Sequence, residues 1–168
     1  MTKIGTITNS IFDRILPVFG QPAMNLPVWN EGQKMFIADE YESAAGNRYY
    51  KGIRFCDRLA IVETVGNYHT WTYIDNIEVY SFDGGDRHLI GKRQYDKQFY
   101  NQDFIKSEAK EMVREYVLSQ MKLSGETADD DSVKEYAGSL VDRSYTSILD
   151  MDCLPRLQQM LPVLMPQP

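Results

Sequence analysis

The stretch from Tyr49 to Tyr95 constrains this chain more than any other. Tyrosine, isoleucine, valine, threonine and tryptophan dominate it, and its interruptions are turn residues, which is the pattern of successive β-strands. Val65-Gly66-Asn67-Tyr68 has the form of a two-residue hairpin, since Gly-Asn suits a type II′ turn. Phe82-Asp83-Gly84-Gly85-Asp86-Arg87 has the form of a longer loop. The expectation is an antiparallel meander with strands over residues 53–65, 68–82 and 87–95.

A two-residue loop fixes a register. It sets Val65 against Tyr68, Val62 against Trp71, Ala60 against Tyr73, Arg58 against Asp75 and Asp57 against Asn76, and the second turn sets Ser81 against His88. The rival topology reverses the chain at Asp75-Asn76. It brings His69 beside Phe82 and close to His88, and its strands are nearer to average length.

The flanks differ in period. Residues 8–16 read as a short N-terminal helix capped by Thr8 or Ser10 and stopped by Pro17. An irregular, proline-broken segment follows. Residues 31–46 fit either spacing, and helix is preferred because Gly46-Asn47 makes a good C-cap. Beyond the sheet, Ile105, Ala109, Met112, Val113, Tyr116 and Gln120 fall on one helical face that Gly125 closes. Ser132 with Glu135 resembles a capping box, and Val133, Tyr136, Ala137, Leu140, Val141, Ser144, Ile148 and Leu149 give a second amphipathic face. A short link implies that these helices pack antiparallel. The tail from Asp152 holds a turn or two of helix before Pro162. The fold class expected is α+β, a three- to four-stranded antiparallel meander packed on one face by two C-terminal antiparallel helices. It forms a single domain over 1–168: the N-terminal helix and irregular segment (1–46), the sheet (47–100), the helical pair (101–150) and a Pro-rich apolar tail (151–168).

Charge narrows the function classes. The net charge is −6, which argues against generic binding to nucleic acid or anionic lipid. Residues 47–106 carry nine Lys or Arg against eight Asp or Glu, whereas residues 107–168 carry six against eleven. Two cysteines far apart, Cys56 and Cys153, form no disulfide framework. Asp13 and Arg14 interrupt the apolar start, which weighs against a secretory leader, and no run approaches a membrane span. The expected compartment is the cytoplasm, with no membrane partner.

Candidate chemistry is sparse. In the hairpin register His69 lies on the order of 40 Å from Ser81, the partner of His88, and Cys56 about 26 Å along the ladder from His69. That spacing leaves no metal site within the sheet. No GxxxxGK[ST], GxGxxG, HExxH or GxSxG string occurs, so neither cofactor nor metal is expected. Cys56 stands between Arg54 and Arg58, cations that can lower a thiol pKa, yet no histidine is placed to act as base and packing is the simpler role. The aromatic band is the most suggestive feature: Tyr68, Trp71 and Tyr73 interleave with Arg54 and Arg58. Such a band suits protein recognition, because rings bury area at small entropic cost. With cations beside it, the same band suits single-stranded nucleic acid. The leading expectation is a non-catalytic protein-interaction module using the aromatic sheet face and the apolar terminal segments, towards another protein or a second copy. The alternative is a single-stranded nucleic-acid-binding accessory protein. A small-ligand enzyme working through His69 or His88 comes third and needs the rival topology.

Overall fold

The computed structural model describes residues 27–42, 48–68, 70–83, 85–144 and 153–164. The helix expected over 8–16 lies outside them. Six antiparallel strands, β1 (Val28–Asn30), β2 (Met35–Glu42), β3 (Arg48–Phe55), β4 (Leu59–Tyr68), β5 (Trp71–Asp83) and β6 (Asp86–Phe99), form one sheet in sequence order. Three helices follow: α1 (Gln102–Ser124), α2 (Asp130–Asp142) and α3 (Cys153–Leu164). The α+β class holds, with six described strands in place of three or four.

The expected hairpin register fails. Tyr68 pairs with Trp71, and Gly66 and Asn67 lie inside β4 opposite Tyr73 and Thr72, so the chain does not reverse at Gly66-Asn67. The single strand expected over 53–65 is two strands. Cys56-Asp57-Arg58 turns the chain, with the Cys56 N–H donating to the Leu59 carbonyl at 2.9 Å, and β3 then pairs with β4 from Phe55–Ala60 to Arg48–Asn67. The rival reversal at Asp75-Asn76 fails too, because β5 runs through it and Asp75 is skipped in a bulge between Ile74 and Asn76. The second turn is as expected: Ser81 faces His88 and Asp83 faces Asp86, with Gly85 left-handed at φ 88°.

Residues 35–42 are strand, correcting the helix preferred there. The physical reason is double burial. Met35 and Phe36 are adjacent, point to opposite faces and are both buried, so the period-2 alternation disappears. Helices cover both faces of the sheet. On one face α3 packs Cys153, Leu157, Met160, Leu161 and Leu164 against Phe36, Ile53, Phe55, Ala60, Val62 and Tyr80. On the other, α1 and α2 pack Ile105, Ala109, Met112, Val113, Ala137, Leu140 and Val141 against Leu59, Ile61, Ile74, Ile77 and Val79. Two helices on one face is therefore corrected to two and one. The buried residues of α1 and α2 all fall among those that the 3.6-residue spacing selects. Gln120 and Tyr136, selected with them, are exposed, and Ile148 and Leu149 lie outside the described residues.

Local chemistry ends the helices. The Asn101 side chain accepts the Phe104 N–H at 3.1 Å, and Gly125, left-handed at φ 76°, returns its N–H to Lys122 and Met121. The α2 helix starts at Asp130, ahead of Ser132, whose hydroxyl bonds Asp129 rather than forming a capping box. Lys110–Asp142 and Arg114–Asp130 ion pairs tie α2 to α1. Pro162 sits within α3, which runs past it to Leu164. At its start Arg156 donates to the Cys56 and Asp57 carbonyls and lies 5.0 Å over the Phe82 ring. At its end the Val163 carbonyl accepts from Lys51 Nζ at 3.2 Å.

The α1 helix sits close on β6 because Gly91 has no side chain: a Cβ there would lie 2.9 Å from Met112 Cβ. Gly91→Ala is therefore expected to destabilise the protein by about 1–3 kcal/mol, read as a lowered urea midpoint. An unchanged midpoint would show that α1 is not seated against the strand.

Candidate functional site

The α3 helix covers only part of its face. Beyond its last turn the sheet continues, and one cross-strand row of the register contains Tyr41, Tyr49, Gly66, Tyr73 and Phe99 on β2 to β6 in order. Gly66 in this row is a close-approach glycine. The Tyr73 ring lies across it, 2.6 Å from where a Cβ would stand, and its hydroxyl donates to the Tyr49 hydroxyl at 3.1 Å. The Tyr49 and Tyr73 rings meet edge to face at 6.4 Å. Next to the row, Trp71 and Phe99 meet edge to face at 5.7 Å while remaining 59% and 61% exposed. Two large rings that touch each other and remain open to water form an apolar surface on the sheet. The Thr72 hydroxyl donates to Asn67 Oδ1 at 2.8 Å and fastens the hairpin end that carries Trp71.

The structure divides the five candidate residues. Tyr73 and Trp71 are in the aromatic group. Tyr68 pairs with Trp71 in the register. Arg54 is not with them. It is buried at 6% exposure on the α1 face, where it donates to the Gln33 carbonyl at 2.7 Å and to Gln102 Oε1 at 3.0 Å. Arg58 is exposed in the Cys56–Arg58 turn beside Phe82, on the order of 35 Å along β5 from Trp71. The spacing Arg54–Cys56–Arg58 suggested one face, but the turn breaks the strand and separates them.

His69 lies outside the described residues, between Tyr68 and Thr70. His88 is exposed and faces Ser81, on the order of 30 Å along β5 from Trp71. Among the described residues no three His, Cys, Asp or Glu side chains gather as for a metal ion. Cys56 and Cys153 are free and buried. Burial pushes the Cys56 thiol up to about 11, against the lowering by Ser144, Arg54 and Lys106, so the thiolate that a nucleophile requires is suppressed. Between β6 and α1 an open groove of about 300 Å³ is lined by Ile90 to Arg93, Met112, Glu115, Tyr116 and Ser119. Arg93 is already held there, by Glu108 at 3.1 Å and Glu115 at 2.6 Å. No described helix is long and apolar enough to cross a membrane.

Sequence reasoning missed Phe99, because the third strand was ended at Tyr95, short of the Gln98-Phe99 pairing. It also missed Gly66 as a bed for a ring, because the same glycine reads as a turn. Comparison of the chain with models of known protein families, with curated proteins and with solved structures finds no match.

Gly66→Ala is expected to push Tyr73 off its bed and break the Tyr73–Tyr49 hydroxyl bond, at a cost of about 1–3 kcal/mol, visible as a lower unfolding midpoint. Cys56 in turn is expected to resist a thiol reagent at neutral pH in the folded protein and to react at once after denaturation. Rapid labelling of the folded chain would contradict its burial.

Proposed function

We propose that this chain is a non-catalytic protein-interaction module that grips a partner protein with Trp71 and Phe99, flanked by Tyr73 and Tyr49. The observation that carries the reading is the contact between Trp71 and Phe99, two large rings that touch edge to face while each stays more than half exposed. Their exposed area is on the order of 250 Å², and burying it contributes about 6 kcal/mol. Association costs about 4–15 kcal/mol, so the two rings serve as the centre of a larger contact rather than the whole of it. Their rigidity suits that place, since buried aromatic anchors dominate interface energies.

The described part of the apolar tail, residues 153–164, does not join this surface. Leu157, Met160, Leu161 and Leu164 lie in the core. Single strands of nucleic acid stack on similar rings, but the arginines on which that alternative rested are elsewhere, Arg54 buried and Arg58 at the other end of the sheet.

The test is capture of partners from the native host by the wild-type chain and by a Trp71→Ala/Phe99→Ala variant, identified by mass spectrometry. Because both rings are exposed, the variant is expected to unfold within about 1 kcal/mol of wild type while losing its captured protein at least 30-fold, the effect of removing a hot spot. An identical set of captured proteins from both would remove the reading. Salt-sensitive retention of labelled single strands by the wild type would replace it with the nucleic-acid one.

A further inference from the structure

Two charged side chains are buried among the described residues, Arg54 and Glu63. They lie on neighbouring strands of the α1 face, with Glu63 opposite Gly52 and Arg54 opposite Ile61. They are in no ion pair with a described residue, and instead a relay joins them. Arg54 Nη2 donates to Gln102 Oε1 at 3.0 Å. An arginine can only donate, so the amide oxygen of Gln102 must face it and the amide nitrogen must face away. That nitrogen donates to the Tyr100 hydroxyl at 3.1 Å. Tyr100 therefore directs its own proton to Glu63 Oε1, at 2.7 Å. All three bonds run one way, from a cation to a carboxyl, and cross from β3 through the β6–α1 junction to β4.

We propose that Glu63 is a proton-operated latch on the β6–α1 junction, shut over the sheet while the carboxyl is protonated and opened at Tyr100 and the first turn of α1 when the proton leaves. A buried carboxylate with no cation in contact is strongly disfavoured. Tyr100 and Gln102, both only half-buried, lie between it and water. Opening this one end relieves the charge without unfolding the domain. Burial raises the Glu63 pKa, while the Tyr100 hydrogen bond and the Arg54 charge lower it; burial prevails. The shut state is thus fully favoured below the ordinary carboxylate range and is lost as pH rises through the raised value.

The described groups around Glu63 have partners of their own. Besides Arg54, β3 contributes Tyr50, which acts on Tyr100. Met35 and Gln33 touch Arg54 from β2 and the turn before it. Across Ile77 on β5, Arg93 of β6 is held by Glu108 and Glu115. In α1 the nearest described cation after Gln102 is Lys106, which acts on Cys56.

The test is amide hydrogen exchange of the full chain by mass spectrometry, from mildly acidic to mildly alkaline pH. It compares residues 99–106 with residues 133–141 of α2 as internal reference, after correction for intrinsic rates. In the wild type, protection of 99–106 is expected to fall with rising pH while the reference holds. Glu63→Gln is expected to keep 99–106 protected throughout. Tyr100→Phe removes a bond that lowers the Glu63 pKa, so its transition is expected at higher pH than in the wild type. Flat protection in the wild type overturns the latch, as does the same fall in Glu63→Gln. If Glu63→Gln does not fold, Tyr100→Phe decides: a transition unmoved, or moved to lower pH, overturns it.

Discussion

Burial of the central strands on both sides is the constraint from which the rest of this structure follows. Ile61 and Val62 are consecutive, point to opposite faces and are both inaccessible, and Met35 and Phe36 repeat the arrangement on β2. A meander with one wet face needs one layer of helices; this one needs two. The chain therefore places α1 and α2 on one side and brings α3 round to the other, where Arg156 holds the Cys56–Arg58 turn and Lys51 holds the Val163 carbonyl. The α1 helix closes on the sheet where Gly91 admits Met112.

This constraint also explains what was legible beforehand. Helix faces were readable because α1 and α2 each have a solvated side, so Ile105, Ala109, Met112 and Val113 stand out by period. The reversal at Gly85 was readable because that glycine serves only the turn, left-handed and with open space around it. The β2 strand was not, since dry faces erase alternation. Nor was the first hairpin, since Gly66-Asn67 satisfies a turn rule locally while its true role is a packing one, beneath the ring of Tyr73. Of the candidate surface, Trp71 and Tyr73 were found from residue type alone. Phe99 and the displacement of Arg54 were not, since both depend on which strand lies beside which.

The end of the sheet away from the Cys56–Arg58 turn gathers the remaining features. Phe99 and Tyr100 are neighbours in sequence that serve different sides: Phe99 meets Trp71 in the open, while Tyr100 turns inward to Glu63. Tyr100 also donates its N–H to the Thr72 carbonyl, so the strands that carry the two exposed rings are stitched together at their ends. This end of the sheet, open to water at Trp71 and Phe99, is in this way held by directional bonds.

Among the described strands β6 is an outer one, fourteen residues long, a length that could in principle recruit a foreign strand. Its ladder to β5 slips twice, at Ile90 and again between Gln94 and Gln98, and each slip rotates the backbone groups out of step. A visiting strand would find only short runs in phase, interrupted by Lys92, Arg93 and Asp96. The described margin of this sheet is thereby a poor template for zipping onto another strand.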